Sequence, residues 1–590
     1  MESASAPADI LGRYVSSYAD VRFHMQANYG FLWALILCCG GVFATMVFLF
    51  LLWKHHPSYG ANPNGPSFPL IGILPFVLLN KHQLYEWCCF LFDRSPSLTL
   101  RLNTGRSSIS VATVDPQVVH HILKTHFPSY PKGPSFYPFF AELLGNGIFN
   151  CDGALWRFQR KVASHVFTSN SLKNFVMAVA DAEIVSCLLP TLANNLDADA
   201  HIDLQALLML YTFDTICQLT FGSDPACLDG SKFKKTYGNC NISASTHVTS
   251  VDDRNASLHI SYARVPDQLI QGFVQGFQVA LQITADRFLI PDFVWKTKRF
   301  FKIGSEKKLI DAMEQVDKFA SFVIELGKQE LASGKDRKDL LARFIRLAKE
   351  QTESLDHDNN SDKQEGMVIS DSLLKDILLS FILAGRESIA SGVTFSMWLI
   401  CVHPIVEREV LKEIAKILEG RKSNDAGKTA RFTYEEVRKM NYLHGVLSES
   451  MRLYPPVPSN CKFAAQDDVF PDGTPVLKGS QVSYNVFAMG RAARVWGEDC
   501  REFRPERWLD ENGVFVPASP FKYPIFQAGP RICLGKDFAF IQMKLLVASL
   551  IQEFEFAVQP GFKPKLSYGV NMMMTNGLPV TLKRRSTLPC

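Results

Sequence analysis

Near the C-terminus the sequence reads Phe526-Gln527-Ala528-Gly529-Pro530-Arg531-Ile532-Cys533-Leu534-Gly535, and a helix-forming run begins at Lys536. A cysteine just ahead of a helix has free backbone N–H groups and the positive end of the helix dipole beside it, which favour a thiolate and depress its pKa. Gly529 and Gly535 remove side chains that would hold a flat ligand away from the backbone. Arg531 offers a charge-assisted hydrogen bond to a carboxylate. Phe526 can keep water from the sulfur. A cysteine met in isolation is more often a small buried hydrophobe. Phe, Gly, Arg, Cys and Gly at these fixed offsets make that the weaker reading. The stretch specifies an axial sulfur ligand to haem iron, with Cys533 on the metal and Arg531 towards a propionate.

At these residues the chain resembles the cytochrome P450 monooxygenases, whose haem loop has the pattern Phe-x-x-Gly-x-Arg-x-Cys-x-Gly. The resemblance runs from about Asn62 to Lys583 and implies that family's fold, mainly α with a small β portion. Further motifs agree with it. Glu449 and Arg452 lie three apart on one helix face just before Pro455 and Pro456. Solvated pairs of this kind abound, but Arg507, in Phe503-Arg504-Pro505-Glu506-Arg507-Trp508, could close a buried Glu-Arg-Arg network that the resemblance makes structural. Trp156 and Arg160 are four apart on a predicted helix and can face a propionate edge together. In the family's pattern both positions are propionate contacts.

Ser370 or Asp371 caps a helix expected to continue to Pro404, roughly 50 Å at about 1.5 Å per residue. It is apolar nearly all round. A membrane span is the alternative, against which Arg386 and Glu387 stand at its centre. Within it, Ala384-Gly385-Arg386-Glu387-Ser388 places small residues, an acid and an alcohol in a helix interior, where the alcohol can bond back to the preceding turn and bend the helix. Family members more often carry Thr after the acid and a second alcohol next; here Ser388 and Ile389 stand in those places. By resemblance Glu387 and Ser388 are the catalytic pair that relays protons through water.

Tyr130-Pro131-Lys132-Gly133, Gly147 to Gly153, Phe381 to Arg386 and Ala488-Met489-Gly490-Arg491 are similar to the plant fatty-acid ω-hydroxylases and to their relatives that oxidise jasmonoyl-amino acids. The resemblance therefore implies haem b, dioxygen, and hydroxylation of an aliphatic carbon at or near the ω end of a long-chain fatty acid. Jasmonoyl-amino-acid conjugates are the alternative substrates. A hydroperoxide isomerase and a non-catalytic membrane haem-binding protein are the rival readings. No GxGxxG stands in a strand–turn–helix context, so NADPH-derived electrons would come from a separate membrane flavoprotein reductase. Arg157 and Lys161, one turn apart, could dock an acidic partner, although a solvated basic face is the commoner meaning of such a pair.

The remaining sequence sets the organisation. With 590 residues, 47% of them apolar and 20% charged, the chain can bury a large core. A net charge of +4 without basic clusters offers no phosphate-tracking stripe, so no nucleic-acid partner is expected. Its 14 cysteines lack paired spacing and read as reduced thiols. Phe31 to Trp53 contains no charge and is long enough to cross a bilayer. The expected organisation is a short lumenal segment 1–30, a transmembrane anchor 31–53, a proline-rich hinge 54–75 and a catalytic domain 76–590 facing the cytosol from the endoplasmic reticulum membrane. Lys54, His55 and His56 just after the span set that orientation. Sequon matches at Asn241 and Asn255 would then escape glycosylation. Leu98 to Ala112 reads as a hairpin, Asp115-Pro116 as a helix start, Val476 to Tyr484 as a strand, and Gly230 to Asp253 and Gln351 to Gly366 as surface loops.

Overall fold

The computed structural model describes residues 37–47, 72–103, 110–168, 170–196, 201–228, 265–357, 369–421 and 432–586. The chain divides into two units, Met1–Pro66 and Ser67–Cys590. In the first, the described part of the expected anchor is an apolar helix, Leu37–Val47. Most of the hinge, both sequons and the stretch 230–253 lie outside the described residues.

The second unit is mainly helical with small sheets. The alternation from Leu98 gives strands β1 (Thr99–Leu102) and β2 (Ser110–Thr113), antiparallel with Thr99 opposite Thr113. Asp115 then caps a short helix from Pro116, accepting the Gln117 N–H at 2.7 Å as the sequence predicts. Two more strands, β3 (Ser459–Phe463) and β4 (Gln481–Asn485), complete a four-stranded sheet in the order β1-β2-β4-β3, with β2 and β4 parallel. The strand expected over Val476 to Tyr484 is in fact two pieces. Pro475–Val476 pairs back onto Asp468–Val469 across the turn at Gly473 before β4 begins. The first part of the loop expected over Gln351 to Gly366 is helical instead, because helix Leu340–His357 runs into it on the helix formers Gln351, Glu353 and Leu355, and 358–366 lie outside the described residues.

Helices that position the site are α1 (Gly153–Thr168), α2 (Leu204–Phe221), α3 (Asp267–Asp286), α4 (Gly304–Ala332), α5 (Asp371–Gly385), α6 (Glu387–Val402), α7 (Asn441–Leu453) and α8 (Lys536–Glu553). Ser370 caps α5 by accepting the Leu373 N–H at 3.2 Å. The helix expected as one piece to Pro404 is interrupted at Arg386, where ψ turns to −74°. Of its most apolar window, 72% is buried inside the protein, the state of a core helix. α6 packs against α2, α7 and α8, with Gly392 admitting the Met543 sulfur.

α3 and α4 form the most extensive helix pair. Gly276 makes their closest approach possible, since a Cβ there would lie 2.6 Å from the Ala312 carbonyl oxygen. Phe273 stacks on Phe319 at 4.3 Å beside it. Gly276→Val is therefore expected to separate the helices and cost about 1–3 kcal/mol. A melting temperature unchanged from the parent would show that the pair does not depend on this contact.

Candidate active site

Cys533 sits in a loop closed by its own backbone. Its N–H donates to the Phe526 carbonyl at 2.8 Å and the Ile532 N–H to that of Gly529 at 3.1 Å. Gln527 holds a left-handed backbone, φ 61°, that a side chain normally resists. Tyr484 OH, which donates to Gln527 Oε1, and Asn460, which accepts from Gln527 Nε2 at 2.6 Å, hold it there. Gly529 also has positive φ, and a Cβ on it would overlap the Leu123 carbonyl oxygen. The Cβ direction at Gly529 is thus taken up by the neighbouring backbone. At Gly535 a Cβ would lie 3.8 Å from the Cys533 sulfur, so this glycine does border the ligand atom.

The thiol is solvent-accessible, yet protein surrounds it closely enough for burial to raise its pKa above the ordinary value. The Gly535 N–H, Arg160 and Lys536 pull the pKa down, as expected of a loop before a helix, but burial outweighs them. The depressed pKa read from sequence is corrected to this extent: deprotonation has to accompany metal binding.

Arg531 reaches across to the start of α1. Its Nη2 donates to Asp152 Oδ1 at 2.6 Å and to the Cys151 carbonyl at 2.9 Å, and its guanidinium lies 4.5 Å from the centre of the Trp156 ring. Arg160, one turn further along α1, is close enough to feel both Cys533 and Arg531. Arg157 and Lys161 point to solvent. Two further cations, to which no sequence pattern assigns a role, join this group. Lys132 lies over the Phe136 ring at 4.1 Å, and Lys462, on β3, is only 2% exposed.

Burial lowers the pKa of Lys132, Lys462, Arg160 and Arg531, and several of these charges depress one another. Asp152 is the one carboxylate that pulls against this on Lys132, Lys462 and Arg531. Four desolvated cations around a single carboxylate fit an added dianion, and the two propionates of a haem supply that charge. The accessible thiol, its bordering glycine and this surplus of positive charge together fit the group.

At the α5–α6 junction Ala384 is exposed and Gly385 partly so, between buried Leu383 and Arg386. A core helix thus opens one face at its midpoint. Ser388 Oγ donates back to the Ala384 carbonyl, the bond expected from an alcohol here. Glu387 Oε2 accepts from Asn571 Nδ2 at 2.9 Å. Behind the loop, Glu449 takes Arg452 bidentately, Nη2 to Oε1 at 2.7 Å and Nε to Oε2 at 2.8 Å. Arg507 Nε, at 3.2 Å, and Trp508 Nε1, at 2.9 Å, add to the same carboxylate. The structure brings the three network residues together, with Glu449 and Arg452 side chains wholly buried. Phe526 packs at a tilt against Phe540 at 5.2 Å and Phe540 against His444 at 4.0 Å, while His444 stacks on Phe515 at 3.8 Å.

Residues 63–584 match the family model described as Cytochrome P450. Among curated proteins the chain is 37% identical over 535 residues to Cytochrome P450 94A1 of Vicia sativa, covering 88% of this chain and 90% of that one. It is 38% identical over 509 residues to Cytochrome P450 94C1 of Arabidopsis thaliana, covering 85% and 90%. With Cytochrome P450 86B1 of the same plant it shares 36% over 532 residues, covering 88% and 86%.

Gly529→Ala, by forcing the loop off Leu123, is expected to weaken or abolish the thiolate-type Soret band of the reduced, carbon-monoxide-treated protein; an unperturbed band would show that the loop does not need this contact. His444 supplies a pH test. Burial, aided by Lys544 and Lys536, lowers its pKa to about 3. Between about 6.5 and 3 the unfolded chain binds a proton that the folded one does not, so stability is intact above that window and falls with pH inside it. From pH 7 to 5 the His444→Phe variant is expected to lose about 2 kcal/mol less than the parent in urea unfolding.

Proposed function

The chain belongs to the cytochrome P450 family, haem-thiolate monooxygenases, and from that premise we propose that it hydroxylates an aliphatic carbon at or near the ω end of a long-chain fatty acid. The observation that carries hydroxylation over hydroperoxide rearrangement is the Glu387–Ser388 pair at the open midpoint of the α5–α6 helix. The substrate class is supported by the similarity of Tyr130 to Gly133, Gly147 to Gly153 and Phe381 to Arg386 to the plant fatty-acid ω-hydroxylases.

When bound, the haem supplies dioxygen activation, to which a sulfur ligand adds electron density. Cys533 is that ligand in this proposal, bordered by Gly535 and covered by Phe526. Trp156, Arg160 and Arg531 hold the propionates, and Lys132 and Lys462 add their charge. Gly529 contributes by seating the loop. Glu387, steadied at Oε2 by Asn571, keeps Oε1 for water. Ser388 relays a proton when its hydroxyl turns from the Ala384 carbonyl, taking one at Oγ from a water on the Glu387 side and giving its own to a second water in the cleft. Glu449, Arg452 and Arg507 act structurally, fixing the segment behind the loop.

Members of the family take electrons from a redox partner; here that partner is proposed to be a separate NADPH-dependent flavoprotein reductase. Residues 31–53 would anchor the chain in the endoplasmic reticulum membrane, with 54–75 as hinge and 76–590 in the cytosol.

The test is full-length protein with reductase and NADPH in phospholipid vesicles, offered a panel of fatty acids together with jasmonoyl-isoleucine. Terminal or near-terminal hydroxy acids are expected, and Cys533→Ala should abolish both product and the thiolate-type Soret band. Turnover of the conjugate alone would reassign the substrate, and consumption of hydroperoxides alone would overturn hydroxylation.

A further inference from the structure

Away from the residues assigned to haem, a second group of ligating side chains meets where the chain makes an unusual turn. His121–Thr125 is a π turn, closed by the His126 N–H donating to the His121 carbonyl at 2.8 Å. In an α-helix residues five apart point to different sides. A π turn instead stacks residue i over i+5, and such turns recur at functional sites. Here the stacking brings His121 over His126, with Nε2 and Nδ1 2.7 Å apart. Asp468, from the far side of the chain, places Oδ2 at 2.8 Å from His121 Nε2 and 3.4 Å from His126 Nδ1.

These three atoms form a triangle that protons cannot complete. A neutral imidazole carries one N–H, and an ionised carboxylate carries none. One proton, even shared, satisfies at most two edges, and protons on both facing nitrogens would confront each other across 2.7 Å. A cation satisfies all three lone pairs at once.

We propose that His121, His126 and Asp468 bind one divalent transition-metal ion of the zinc class, with the fourth position open on the solvent side. Two imidazoles and one carboxylate are a ligand set that zinc accepts, and an opening of the triangle to edges of roughly 3.3 Å would give tetrahedral bonds of about 2.05 Å. The residues around it orient the ligands as a metal site requires. Tyr130 OH donates to Asp468 Oδ2 at 2.6 Å and the Val469 N–H to Oδ1 at 2.8 Å, while Phe470 and Tyr130 pack edge-on against the His121 ring. His121 is nearly buried, and His126, half-exposed, gives the ion its way in. The ion would pin the π turn to the β-hairpin of Asp468, and it is on that turn, at Leu123, that Gly529 leans.

Chelator-stripped, haem-loaded protein is titrated with Zn2+ by calorimetry, in parallel with His126→Asn, and the zinc-loaded parent is read by X-ray absorption at the zinc edge. One ion per chain, bound at least about tenfold more weakly by the variant, with a nitrogen and oxygen shell showing imidazole scattering, is the expected result. Equal affinity in parent and variant, a shell containing sulfur, or no binding by the parent would each overturn the assignment. The variant's thiolate-type Soret band, expected unchanged, separates loss of the ion from loss of the fold.

Discussion

The ion pair between Arg531 and Asp152 joins residues 379 positions apart and fixes where the sulfur can be. Asp152 is held in turn by the Lys132 and Gly133 N–H groups at 3.1 and 2.8 Å, so one carboxylate fastens the C-terminal loop, the start of α1 and the segment bearing Lys132. It also leaves the surrounding cations incompletely neutralised. A carboxylate placed to neutralise them all would stabilise the protein alone and remove the reason for a dianionic cofactor to bind. Structural support and cofactor affinity thus come from the same imbalance of charge.

The opposite arrangement holds behind the loop. Glu449 is satisfied on both oxygens by two arginines, an indole and the Arg504 N–H at 3.1 Å, and Arg452 spends its remaining donors on backbone carbonyls of Gly490, Cys500 and Glu502. A buried charge so fully paired has nothing left to offer a ligand, and removing one partner would strand the others in a low-dielectric interior. At these two places, fully paired charge supports the scaffold and incompletely neutralised charge lines the candidate site.

Features written in contiguous residues were legible from sequence. The loop pattern at Phe526 to Gly535, the caps at Asp115 and Ser370 and the back-bonding alcohol at Ser388 each depend on neighbours within a turn or two, where residue type dictates local hydrogen bonding. What escaped depends on segments distant in the chain. Lys462 acquires its meaning from Lys132 and Arg531, which no spacing rule connects. Gly529 serves Leu123, some four hundred positions earlier. The raised thiol pKa at Cys533 reflects how densely the whole fold closes around it, a quantity local pattern does not contain. The meeting of His121 with His126 needed knowledge that the helix there takes the wider turn.

One consequence lies in the crossing of α2 and α5. Gly385 has no side chain where Ile216 enters, and even a methyl group there would overlap the isoleucine's tip. The two positions share one small volume, so a side chain at 385 would require Ile216 to turn aside or become smaller. Gly385 stands two residues before Glu387, so a side chain on a different helix helps to set the room at the open midpoint of the α5–α6 helix, and substitutions at 385 and 216 are expected to be coupled.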